Sequence, residues 1–193
     1  MTNEPSHDSC VEVVDRLVMK LVTTFYENPA IFMSEGDVQC YLYALLVNDP
    51  YFRNLWLEYP TAKKESKTLL VHSDAGVILE GKRKNCDVLI FEPNKKDLEP
   101  LIAIEIKYNR RRPAAKEKSN IIEDIKKVSA TNQGYILWLN WETGIEEDQL
   151  KQVKGLIQMH ENVKLFYLDM FSDPIKTNIK EILEMENQLS DEK

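Results

Sequence analysis

The chain predicts a mixed α/β domain, an α+β arrangement in which a central mixed β-sheet is flanked by helices. Two patterns predict it. Apolar residues recur at three- and four-residue intervals, as in Val11, Val14, Leu17, Val18, Leu21, Val22 and Phe25, which lines one face of a helix. Between such stretches lie short runs rich in Ile, Leu and Val, such as Leu101 to Tyr108, bounded by Pro or by charged residues, and these read as strands. The core is expected over about residues 34–140, with a helix at about 8–27 before it and an α-β-α extension at about 145–189 after it. No repeat or linker divides the 193 residues, so one domain spanning 1–193 is expected.

In chain order, the first helix ends at Asn28-Pro29, because a residue before proline is turned away from the helical region. Ser34 is suited to cap a second helix that carries Glu35 and Asp37 in its first turn, ahead of Val38, Tyr41, Leu42, Leu45 and Leu46. Residues 50–67 read as an aromatic-rich connection whose rings serve the core. Strands are expected at Thr68–His72, Val77–Glu80 and Cys86–Phe91, with Gly81–Asn85 turning between the last two. After the strand Leu101–Tyr108, Ile121, Ile122, Ile125 and Val128 mark a helix and Gly134–Leu139 a strand. Leu150, Val153, Leu156 and Ile157 mark another helix, Val163–Leu168 a strand, and Ile175 to Met185 a closing helix. His72, alone, is expected to be structural.

Composition narrows the function classes. Apolar content of 43% and charged content of 30% are those of a globular protein. No apolar run reaches the roughly 20 residues of a membrane span, and the polar start lacks a signal-peptide pattern. Cys10, Cys40 and Cys86 are scattered singly, which gives neither a zinc knuckle nor a disulfide framework. A cytoplasmic protein with no membrane partner is expected. The net charge of −7 is unevenly spread: residues 60–130 hold sixteen Lys/Arg against eleven Asp/Glu, a balance of +5 that leaves −12 elsewhere. A basic middle is what a polyanion would need.

The chemistry is concentrated in the strand Leu101–Tyr108. Side chains alternate along a strand, so Glu105 and Lys107 project from the same face, about 6.6 Å apart. A carboxylate in an apolar strand is costly to desolvate unless it is compensated, and either Lys107 or a metal ion would do so. If Cys86–Phe91 pairs antiparallel with this strand, Phe91 opposite Leu101, then Asp87 faces Glu105. Like charges in that position repel, and a shared divalent cation would turn the repulsion into coordination. Hard oxygen ligands without His or Cys favour magnesium or manganese. The main-chain carbonyl of Ile106 offers a third ligand, and Lys107 would stand beside the ion. Glu35 lies three and seven residues before Val38 and Leu42 and so shares their inward face.

These residues resemble the PD-(D/E)xK nuclease superfamily, the restriction-endonuclease-like fold. The resemblance rests on Asp87, on Glu105-Ile106-Lys107 at the end of an Ile-rich strand, on Glu35 at a helix start, and on the helix and strand that follow. It covers about residues 34–140, in the family order α-β-β-β-α-β, and it departs from the pattern at Cys86, where the nominal proline would precede Asp87. It implies a Mg²⁺- or Mn²⁺-dependent nuclease hydrolysing phosphodiester bonds, with DNA the favoured substrate. Asp87 and Glu105 would ligate the metal, Glu35 would support it indirectly, and Lys107 would be catalytic. Lys82, Arg83, Lys84, Arg110, Arg111, Arg112, Lys126 and Lys127 would meet the phosphate backbone. The alternative is a catalytically inactive module that kept the fold for nucleic-acid binding or assembly. A homodimer, or membership of a larger repair or defence complex, is compatible with either.

Overall fold

The computed structural model describes residues 7–53, 55–60, 65–79, 81–92, 99–109, 115–140 and 147–169. Helix α1 (His7–Glu27) is followed by a short 3-10 turn at Pro29–Ile31, α2 (Glu35–Asn48) and α3 (Pro50–Arg53). Then come β1 (Trp56–Pro60), β2 (Glu65–Leu69), β3 (Val71–Leu79), β4 (Lys82–Phe91), β5 (Pro100–Asn109), α4 (Ala115–Val128), β6 (Gln133–Asn140), α5 (Glu147–Gln158) and β7 (Val163–Asp169). Strands β1 and β2 form a separate antiparallel pair, while β3-β4-β5-β6-β7 form one five-stranded sheet. In that sheet β3, β4 and β5 run antiparallel and β5, β6 and β7 run parallel.

Both faces of the sheet are covered, which is why β5 and β6 read as near-continuous apolar runs. One face packs Ile102, Ile104, Ile106, Tyr135 and Leu137 against α1 and α2. The other packs Ala103, Ile136 and Trp138 against α4 and α5. The buried Tyr135 hydroxyl donates to Asp15 of α1 at 2.8 Å, and Lys164 of β7 meets the same carboxylate at 2.6 Å. At the start of α2 the Ser34 hydroxyl accepts from the Asp37 N–H at 3.2 Å, the expected cap, and the Asp37 carboxylate in turn accepts from the Met33 N–H at 2.9 Å. The Tyr108 hydroxyl donates to the Phe32 carbonyl at 2.7 Å, which ties the entry to α2 to the end of β5.

Several sequence expectations need correction. The stretch 56–60 is strand β1 rather than connection, and the strands expected at Thr68–His72 and Val77–Glu80 are divided otherwise, into β2 and one long β3. Lys82, Arg83 and Lys84 stand within β4, paired with Leu79, Ile78 and Val77, instead of in a turn. Cross-strand pairing overrides the loop signal of a charged run, and Gly81, just before Lys82, takes a φ of +74° that suits glycine. Phe91 pairs with Pro100, not Leu101, but a register shift after Ile90 restores the expected alignment: Ile90 with Ile102, Leu89 with Ala103, Val88 with Ile104. His72 is structural as expected, its ring edge-on to Phe91 and its Nε2 at 2.8 Å from the Leu69 carbonyl. Arg110, Arg111, Arg112 and the closing helix near Ile175 to Met185 lie outside the described residues. Among the described residues no helix is long and apolar enough to cross a membrane.

Gly134 marks where α4 closes on β6. A Cβ there would stand 2.8 Å from Val128 Cγ2 and 2.9 Å from the Val128 carbonyl oxygen. Since one of these atoms is backbone, relief requires the end of α4 to move. Gly134→Ala is expected to cost about 1–3 kcal/mol of stability, read as a lower midpoint in urea unfolding; an unchanged midpoint would contradict this packing.

Candidate active site at the split between β4 and β5

The β4–β5 ladder runs from Phe91 to Val88 and then stops, although both strands continue. Beyond Val88, β4 pairs with β3 among the described residues. An unbroken ladder would have used the N–H groups of alternate β5 residues on β4, and buried donors left without partners are costly. Two carboxylates take them instead. Asp87 Oδ2 accepts from the Ile106 N–H at 2.6 Å, and Glu35 Oε2, reaching from the first turn of α2, accepts from the Tyr108 N–H at 3.3 Å. A strand residue directs its N–H and C=O to the same edge, so the Ile106 carbonyl also faces the split.

The split coincides with a change of side in β3 and β4. Val71 and Val88 pack beneath α1 and α2, whereas Ala75, Val77 and Cys86, each an even number of residues away, pack beneath α4 and α5. Alternation would have kept them on one side. The crossing falls at Asp74 and Asp87, the one position missing from an otherwise continuous β3–β4 ladder, and Asp74 has a φ of +51°. Gln39 of α2 seals the crossing: its Nε2 donates to the Asp87 carbonyl at 2.8 Å and lies 3.5 Å from Asp74 Oδ1.

Glu105 projects from β5 into the space beside this split and is buried. As the alternation requires, Lys107 shares its face, with Nζ 3.7 Å from Glu105 Oε2. Helix α4 adds Asp124 and Lys127. Lys127 Nζ lies 2.6 Å from Glu105 Oε1 and 3.1 Å from Asp124 Oδ1, and Lys107 Nζ lies 3.3 Å from Asp124 Oδ2. Glu105 Oε1 and Asp124 Oδ2 are buried, and the Lys127 and Lys107 ammoniums beside them compensate their charge. The result is a half-buried group of four carboxylates, Glu35, Asp87, Glu105 and Asp124, with two ammoniums.

Burial is the first cause of every acid shift here. It pushes Glu105 up to about 7, reinforced by the charge of Asp87 and opposed by Lys127. It also raises Glu35, against the pull of Lys107 and the Tyr108 N–H, and Asp87, against the Ile106 N–H and Lys107. Burial works to lower both lysines, but the carboxylates outweigh it and hold Lys107 and Lys127 above the usual lysine value, Asp124 acting most on Lys107 and Glu105 most on Lys127. Buried Cys86 borders the group and its thiol is pushed up to about 12, by burial and then by Glu105.

The structure therefore brings together Glu35, Asp87, Glu105, Ile106, Lys107 and Lys127 from the sequence-derived set. Lys126 points to solvent, away from the group, and Lys82, Arg83 and Lys84 are exposed along β4. Sequence reasoning missed Asp124 and Gln39. Asp124 had a signal, since it lies three residues after Ile121 and four before Val128 and thus on the apolar stripe of its helix. Among the described residues no three acidic, histidine or cysteine side chains stand together as a finished ion cage. Comparisons of the chain with protein-family models, with curated proteins and with solved structures find no match.

The Glu105 shift sets a pH dependence. The folded protein holds that proton more tightly than the unfolded chain. The stability it contributes is thus complete below the ordinary glutamate value of 4.5 and is lost as pH rises through about 7. In buffer with chelator, the melting temperature should fall across that window, and Glu105→Gln should remove most of the fall. An equal slope in wild type and Glu105→Gln would contradict the assignment.

Proposed function

We propose that the chain is a magnesium- or manganese-dependent nuclease of the PD-(D/E)xK kind, with a restriction-endonuclease-like core, hydrolysing phosphodiester bonds of DNA. The observation that carries this reading is the meeting of Asp87 and Glu105 at the split with Lys107 on the same face as Glu105. Within the five-stranded sheet the order α2-β3-β4-β5-α4-β6, with α3 and the separate β1–β2 pair inserted after α2, supports it.

The donor set fits a hard divalent cation. Magnesium takes one or two carboxylates, keeps waters and completes its shell with substrate phosphate. Asp87, Glu105 and the Ile106 carbonyl are oxygen donors facing one gap. Burial and the charge of Asp87 both work against ionisation of Glu105, and a divalent cation there would relieve that cost. Lys127 can turn from Glu105 and keep Asp124 and the Asn85 carbonyl, at 2.9 Å, as partners. When bound, the ion would supply an acidified water and neutralise phosphate charge. Lys107, held between Glu105 and Asp124, orients the attacking water and offsets charge that develops on the phosphorus oxygens. Glu35 and Asp87 hold the end of β5 in place through its N–H groups, so Lys107 does not drift as charge moves.

A second reading, a catalytically silent nucleic-acid-binding or assembly module, draws on the 2.6 Å Lys127–Glu105 contact, which compensates Glu105 without a metal ion. Two measurements separate the readings. With magnesium or manganese, the protein should cleave DNA, and Glu105→Ala and Lys107→Ala should each lower the rate about a hundredfold or more. Absence of cleavage on single-stranded, duplex, branched and RNA substrates, or cleavage unaltered in both variants, would overturn the nuclease reading. Millimolar magnesium should also raise the melting temperature, by about 2–4 °C for each kcal/mol of binding, and Asp87→Asn should abolish the rise. A rise that persists in Asp87→Asn would assign the ion to another place.

A further inference from the structure

We infer that the outer half of the β3–β4 pair is an arm that enters the major groove of double-stranded, B-form DNA beside the acidic group. This deepens the nuclease reading and rests on it for the choice of nucleic acid, but it concerns binding and stands on different observations.

From Ala75–Cys86 to Leu79–Lys82 the two strands pair with each other and not with β5, whose ladder with β4 begins only at Val88. The paired segment is five residues on each strand, about 13 Å long, and stands apart from β5, which itself continues to Asn109. Its base is fixed, because Val77 and Cys86 are buried under α4 and the Asn85 carbonyl accepts from Lys127. Its outer part is open: Lys82, Arg83, Lys84 and Asn85 are exposed, and Ile78 beside Arg83 is 68% exposed. A solvent-facing isoleucine among three consecutive cations, at the end of a two-stranded ribbon, is poorly explained as a solvated surface.

The ribbon also has a built seat for its central cation. Gly76 lies two residues from Ile78 on the same face, and a Cβ there would meet the Arg83 side chain, with Cγ at 2.6 Å and Cδ at 2.9 Å. The absence of a side chain at Gly76 leaves room for the arginine stem to lie flat across the ribbon.

Dimensions and charge name the partner. Two strands about 4.8 Å apart match a B-form major groove about 12 Å wide, which admits a two-stranded ribbon. An exposed apolar residue there can meet thymine methyl groups, while the cations take phosphates. The major groove of A-form RNA is too narrow and deep for the same approach. Because the ribbon springs from Asp87 and is tied through Lys127 to Glu105, a duplex seated on it lies against the acidic group.

The test is fluorescence anisotropy of the full chain with a labelled DNA duplex, one of its single strands, and a duplex RNA of the same sequence, in EDTA so that nothing is cleaved. Wild type should bind duplex DNA most tightly. Lys82→Gln/Arg83→Gln/Lys84→Gln should weaken that binding about tenfold or more and reduce the slope of log affinity against log salt by about 2–3. Gly76→Ala, which changes no charge, should weaken duplex binding several-fold and leave single-strand binding unaltered. Unchanged duplex binding in the triple variant, equal affinity for single strand or RNA duplex, or no binding of any probe would each overturn the arm. Failures separate cleanly: duplex binding lost in the triple variant but no cleavage under any metal removes the nuclease and keeps the arm, whereas cleavage with unaffected ribbon variants removes the arm alone.

Discussion

Two backbone N–H groups, those of Ile106 and Tyr108, hold the rest of the site in place. They lie on the edge of β5 from which β4 has turned away, in a part of the molecule where an unpaired donor is expensive. The chain satisfies them with Asp87 and Glu35, so carboxylates are drawn to the centre of the protein by the requirements of the main chain. A ladder that continued past Val88 would have needed neither acid. The parting of the strands and the gathering of negative charge are therefore one event.

That gathering is costly, and its cost is visible. Burial disfavours the charged forms of Glu35, Asp87 and Glu105 and pushes each above its ordinary value. Two ammoniums face four carboxylates, and the proton that Glu105, pushed up to about 7, retains makes up part of the shortfall, leaving net negative charge at a half-open gap. A sequence selected for stability alone would replace such a group with apolar side chains of similar volume. Its presence, in a chain whose β5 and β6 are otherwise closely packed apolar strands, concentrates the departure from stable packing at one point, where function is to be sought.

Much of this arrangement could be read from residues. The shared face of Glu105 and Lys107 follows from strand alternation and needs no partner to be known. The alignment that brings Asp87 near Glu105 followed from the length of the connection between the two strands, and the slip at Phe91 left the pairs from Ile90 to Val88 as expected. What stayed hidden depends on the third dimension. The crossing at Asp74 and Asp87 is a concerted change in two strands that no local pattern announces, and it is the reason the Asp87 side chain turns to the β5 edge instead of simply opposing Glu105. Gln39 acts across 48 positions of sequence separation. Asp124 and Lys127, three apart on a helix, have the spacing of an ordinary surface ion pair, and only the burial of α4 against β5 and β6 makes them part of the site. The charged run Lys82-Arg83-Lys84 shows the opposite error, a loop signal overruled by pairing with β3.

The central claim, that the parting of β4 and β5 creates a seat for one divalent cation shared by Asp87 and Glu105, is open to a direct look. Crystals soaked in manganese and measured near the manganese absorption edge should give an anomalous peak within about 2.0–2.6 Å of a carboxylate oxygen from each residue, with Lys127 moved off Glu105. Data in which Lys127 remains on Glu105 and the gap is featureless, or in which the peak lies elsewhere on the molecule, would contradict it.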